Sequence, residues 1–219
     1  MDKKVLGLVL VLIGIAACLT GAFFLFKPSG DKTNQNTSNN QGANDMNTSD
    51  KKLVVYFSRA DENYSVGNVE VGNTELLAKE IVAKVGADEF KIVPEVAYPA
   101  NYQEAVDQAT KERNEQARPE YKGDVDISSY DTIFFGYPIW WGDMPMIVYN
   151  FIEKHDWNGK TVIPFNTHEG SGNAGTYDIL KSKMSGATLK GDGFNMSGST
   201  ARTDDGIKKL NNWLESLGY

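Results

Sequence analysis

Three stretches of this 219-residue chain combine residue types that can hold a small molecule. The first, residues 58–75, reads SRADENYSVGNVEVGNTE and closes with Gly72-Asn73-Thr74 where a helical pattern begins. Free backbone N–H groups and the dipole at a helix start favour an anion, and Ser58, Asn73 and Thr74 add side-chain donors. Thr74 reads equally well as a plain helix N-cap. The stretch has neither the Gly-Lys-Ser/Thr ending of a Walker loop nor the three-glycine dinucleotide pattern. The second, GYPIWWGDMP at residues 136–145, sets Tyr137, Trp140 and Trp141 among turn-forming residues just after a strand-like run. Aromatic surface on a loop suits a flat ring stacked against it; core filling is the alternative. The third, NTHEGSGNAG at residues 166–175, has glycines that let backbone approach a ligand closely.

Other chemistries find little support. His168 and His155 are the only histidines and Cys18 is the only cysteine, so no metal-ligand set forms. Ser171 lacks the strand–Gly-x-Ser-x-Gly–helix setting of a hydrolase nucleophile. Lysine and arginine total 22 against 29 aspartate and glutamate. Residues 1–50 hold four of each, so the whole net charge of −7 belongs to the remainder. Without a basic stripe, that balance argues against nucleic acid and leaves a basic protein face open as a partner.

Positioning these loops requires alternating elements. KLVVYFS at 52–58 reads as a strand buried on both faces. A helix from Thr74 carries Leu76, Leu77, Ile81, Val82 and Val85 on one face and stops at Gly86. EFKIVP, YDTIFFGYP, KTVIPFNTH and ATLKGDGFNM supply four more strands, and helices follow at 145–156, 177–184 and 204–218. Residues 102–118 form a charged helix read as a solvated face. Strict alternation predicts a parallel sheet covered on both sides, with ligands beyond the strands' carboxyl ends where the strand order reverses.

The chain divides into residues 1–28, 29–50 and 51–219. Val5 to Phe26 is uncharged for 22 residues, and as a helix would span roughly 33 Å against a bilayer core of ~30 Å. It reads as a transmembrane anchor. Alternatively, Ile15-Ala16-Ala17-Cys18 after Lys3 and Lys4 reads as a lipoprotein signal with Cys18 lipidated. Residues 29–50 are Asn-, Thr- and Ser-rich and predict a polar, disordered spacer.

VVYFSR with GNTE, GYPIWWGDMP, VIPFNTHEGSG, and GSTA before the last helix occur in the order found in flavodoxins, and residues 52–219 resemble the flavodoxin-like family. They resemble in particular its members with a long insertion in the phosphate loop. One departure is plain: Ala60 to Val71 separates Ser58-Arg59 from Gly72-Asn73-Thr74, which the family pattern joins.

The resemblance implies an α/β fold with a five-stranded parallel sheet of order 2-1-3-4-5, helices on both faces, and FMN bound where strands 1 and 3 part. It implies Ser58, Arg59, Asn73 and Thr74 at the phosphate. Pro138, Ile139, Trp140, Trp141 and Gly142 would border the ring, with Thr167, His168, Glu169, Ser171 and Gly172 on its other side. Gly142-Asp143 matches the step whose peptide turns toward reduced flavin N5 in flavodoxins. No catalytic side chain and no metal is implied. The implied role is a bacterial electron carrier tethered on the extracytoplasmic side of the cell membrane, exchanging electrons with a redox protein or a membrane donor or acceptor. An FMN-dependent NAD(P)H/quinone-type reductase is the alternative.

Overall fold

Leu53, Val54, Val55 and Tyr56 have at most 1% of their surface exposed, as a strand covered on both faces must. They lie at the centre of the computed structural model, which describes residues 50–219. The expected anchor, and all of the spacer except Asp50, fall outside the described residues. Among those described, no helix is long and apolar enough to cross a membrane.

The main sheet contains β1 (Lys52–Tyr56), β2 (Asp88–Lys91), β3 (Thr132–Pro138) and β4 (Thr161–His168). Two short segments, Thr188–Leu189 and Phe194–Ser197, together fill the fifth position as β5. All pairings are parallel and the order is the expected 2-1-3-4-5. The helices are α1 (Asn73–Val85), α2 (Tyr102–Asn114), α3 (Met146–Lys154), α4 (Thr176–Lys183), the one-turn α5 (Gly198–Ala201) and α6 (Asp204–Ser216).

Alternate residues of each strand feed two cores. Val54, Tyr56, Phe134 and Phe165 meet Leu77 and Ile81 of α1 and Leu210 and Leu214 of α6. On the other face Val55, Phe57, Ile133 and Phe135 meet Ile147 and Phe151 of α3 and Leu180 of α4. The α1 helix ends where Gly86 turns left-handed at φ 65° and returns its N–H to Val82 O at 3.0 Å.

Two sequence expectations need correction. The run ATLKGDGFNM is not one strand: Gly191 and Gly193 adopt φ of 71° and 68° and break the ladder between Leu189 and Phe194. Gly193 also sits so close to the Tyr177 ring that a β-carbon would overlap it. The charged helix α2 is not simply a solvated face. It buries Ala105 and Ala109, together with Glu112, whose carboxylate accepts from Tyr98 Oη at 2.8 Å and Gln108 Nε2 at 2.9 Å. Small residues at i and i+4 made its buried stripe apolar without making it hydrophobic in composition.

At the sheet centre Gly136 is registered between Tyr56 and Phe165. A β-carbon there would overlap the fully buried Phe165 ring. Gly136→Ala is therefore expected to destabilise the domain by about 1–3 kcal/mol through overpacking. Urea unfolding should show a lower midpoint, and combining it with Phe165→Leu should cost less than the sum of the single changes.

Candidate functional site

The chain leaves β1 toward α1 on one face and leaves β3 toward α3 on the other, so their carboxyl ends open a crevice. The first of the three loops around it starts at Ser58 and returns at Gly72, packed so tightly against Ser58 Oγ and Arg59 O that no β-carbon could fit. Leu76 N makes the first helical bond of α1, to Gly72 O at 3.2 Å, and Ser58 Oγ accepts Glu75 N at 3.1 Å. The amides of Asn73 and Thr74 are left without an acceptor among the described residues. Thr74 does not act as the N-cap; its buried hydroxyl pairs with that of Thr167 at 2.7 Å beneath the crevice.

Arg59 is only 9% exposed. Its terminal nitrogens donate to the carbonyls of Glu62, Pro99 and Ala100, the last at 2.8 Å. Its Nε is a buried donor without a partner. Burial lowers the guanidinium pKa, against the opposing effect of Asp61 and Glu62. Within the same loop Asp61–Asn63 and Gly67–Val69 pair as an antiparallel hairpin, which the sequence reading missed.

The second loop is a tight turn. Trp140 N donates to Asp143 O at 2.8 Å and Asp143 N to Trp140 O at 3.0 Å. Trp141 and Gly142 have φ of 55° and 73°, the two consecutive left-handed residues of a mirror-image hairpin turn. The Asp143 carboxylate holds the exit, accepting Met144 N and Tyr149 Oη, each at 2.7 Å. Arg113 of α2 donates to Trp141 O at 3.2 Å. The two tryptophans part company: Trp140 packs edge-on against Phe57 and Tyr98 at 5.5 and 5.2 Å, whereas Trp141 is 56% exposed.

Asn166, fully buried at the end of β4, anchors the third loop. Its Oδ1 accepts Tyr177 Oη at 2.8 Å and its Nδ2 donates to Gly172 O at 3.1 Å. His168 Nδ1 accepts Gly170 N at 2.9 Å, which leaves Nε2 to donate to Asn195 Oδ1 at 3.2 Å and fixes one neutral tautomer. Glu169 accepts the Ser199 amide at 3.2 Å.

Together the loops enclose a cleft of about 440 Å³, within the range of small-molecule sites. It brings together eleven of the fourteen expected residues, while Ser58, Thr74 and Gly172 lie outside its lining. Asn63 and Tyr64 of the hairpin and Tyr102, Ala105 and Val106 of α2 form a wall that sequence reasoning missed. The spacing of Ala105 and Ala109 within a charged helix was the one signal available for it. Among the described residues no cluster of His, Cys, Asp and Glu could hold a metal.

Comparison with known proteins agrees with this architecture. A family model described as Flavodoxin matches residues 51–217. No curated protein matches the chain. Among solved structures, a candidate flavoprotein from Bacteroides eggerthii DSM 20697 is similar at 32% identity and a TM-score of 0.60, over 77% of this chain and 98% of its own. Another, from Bacteroides uniformis ATCC 8492, is 28% identical with a TM-score of 0.60, over 75% and 97% of the two chains. A flavoprotein from Lactobacillus acidophilus NCFM, solved in complex with FMN, shares the fold at 20% identity and a TM-score of 0.52, covering 74% and 99%. By its match to the family model and its likeness to the B. eggerthii protein, the chain belongs to the flavodoxin family.

Proposed function

We propose that the protein binds FMN in this cleft and serves as an electron carrier tethered to the outer face of the bacterial membrane. The observation that carries the reading is the pair of open amides of Asn73 and Thr74 at the start of α1, beside a cleft that also holds the Asn73 side chain and the exposed ring of Trp141. Free N–H groups and the dipole at a helix N-terminus favour an anion. A flat ligand with a phosphate at one end fits that combination of donors and aromatic surface.

The Asn73 side chain and the open amides of Asn73 and Thr74 would hold the phosphate, while Arg59, its terminal nitrogens on backbone carbonyls, would fix the loop beside it. Ser58 keeps the start of α1 capped and in place, and the buried Thr74–Thr167 pair fixes the floor. Trp141 offers a ring face, while Pro138, Ile139 and Val106 exclude water from the adjoining wall. Bound FMN would supply the redox chemistry, taking up and releasing electrons at its ring. His168 spends both ring nitrogens on Gly170 and Asn195, so the chain supplies position and field rather than acid–base catalysis.

The tether reading rests on the uncharged run from Val5 to Phe26, or on a lipidated Cys18, followed by the polar spacer. The net negative charge would steer the domain toward a basic redox partner or membrane donor.

Full-length protein in detergent, supplied with FMN, should show flavin absorption bands after removal of free cofactor. Stepwise reduction should change them in two resolved stages, with little NAD(P)H oxidation when a quinone is added. Reduction in a single stage together with quinone-dependent NAD(P)H turnover would replace the carrier by a reductase; absence of bound flavin would end both readings. Substitutions should separate the two tryptophans. Trp140→Ala is expected to destabilise the domain by about 3 kcal/mol through lost packing. Trp141→Ala should leave the melting temperature unchanged and weaken FMN binding by roughly 1 kcal/mol, as read by flavin fluorescence titration.

A further inference from the structure

Arg202 reaches Asn73, which lines the cleft, from a distant part of the chain. Ser197 ends β5, and its Oγ accepts Thr200 N at 3.2 Å, which starts α5 and delivers Arg202 just beyond it. Arg202 Nε donates to Asn73 Oδ1 at 2.8 Å, and its Nη2 donates to Val71 O. Gly198, in the same turn, lies so close to the Asn73 amide that a β-carbon would overlap it. One guanidinium thus grips both ends of the segment Val71-Gly72-Asn73 across 131 positions of sequence.

This grip has two chemical consequences. A guanidinium only donates, so it must face the carbonyl end of the Asn73 amide, leaving the NH₂ end as what Asn73 can offer a ligand. An anion that only accepts hydrogen bonds requires that orientation. Arg202 also brings charge. Arg118 pairs with the Glu153 carboxylate at 2.7 Å, but neither Arg202 nor Arg59 has a carboxylate within ion-pair distance among the described residues. A cation beside the start of α1 suits an anion there better than a neutral group.

We propose that Arg202 is a positioning residue that sets the preference for phosphorylated flavin over its unphosphorylated form, by orienting Asn73 and adding charge beside the Val71–Asn73 segment. The proposal rests on the FMN reading above. It separates the phosphate end of the ligand from the ring end, which Arg202 does not approach through any of its bonds.

The test is a fluorescence titration of full-length wild type, Arg202→Gln and Arg202→Lys with FMN and with riboflavin. Arg202→Gln should weaken FMN binding by roughly tenfold or more, the usual size for a charge-assisted bond, and leave riboflavin binding unchanged. Arg202→Lys retains the charge but loses the fork, so it should recover only part of the FMN affinity. A role confined to stability would lower both affinities together, and that result, or an unchanged FMN affinity, would overturn the proposal. Wild type that binds FMN and riboflavin equally would overturn it too while leaving flavin binding intact. Wild type that binds neither would end the FMN reading itself. Should the glutamine variant not fold, the lysine variant carries the same comparison.

Discussion

After leaving β1 the chain makes an excursion of thirteen residues, 59–71, and must return so that Gly72 touches Ser58. No residue with a β-carbon can close that contact. On it depends the position of the α1 N-terminus, whose open amides lie beside the crevice only because the excursion ends where it began. The inserted stretch is held on itself by Asn63, whose Nδ2 lies 3.3, 3.1 and 3.1 Å from the carbonyls of Arg59, Ala60 and Asp61. Arg59 then ties the insertion to Pro99 and Ala100. A segment that could have been a loose flap is part of the wall, and the start of α2 is drawn in with it through Glu62, which accepts the Tyr102 amide at 2.9 Å.

The aromatic loop obeys a different constraint. Its turn needs left-handed backbone at two successive positions, and one of them is a tryptophan. That conformation is unfavourable for a bulky residue and persists only where surrounding bonds over-determine it. Here the reciprocal Trp140–Asp143 pair, the Asp143–Tyr149 bond and the Arg113 bond to Trp141 O do so. Trp140 meanwhile is partly buried and packs against Phe57 and Tyr98 at the edge of the core. One tryptophan is the footing on which the other is displayed.

Much of this was legible in the sequence because it depends on local pattern. The runs LVVY and TIFF could only be buried strands, and Gly86 marked a helix end. The three loops could be placed at one sheet edge because the order of elements dictates it. What escaped depends on contacts between distant residues. Nothing near Arg59 announces that two of its three partners lie about 40 positions away, and adjacent tryptophans look alike until Phe57 and Tyr98 distinguish them. The α2 wall was hidden because alanines and a hydrogen-bonded glutamate fill its buried stripe. The broken fifth strand was hidden because glycines that interrupt a ladder and glycines that merely weaken one are spelled the same way.

The bonds from Arg202 to Val71 and Asn73 join an early segment to a late one. A chain made from its N-terminus first extends β1 and α1 long before residue 202 leaves the ribosome. The Val71–Asn73 segment therefore lacks this grip through most of synthesis, whatever has already condensed around the sheet. A chain stopped before α5 would lack both of these bonds. The start of α1 is thus made early but fastened late, by a residue that follows nearly all of the sheet in the order of synthesis.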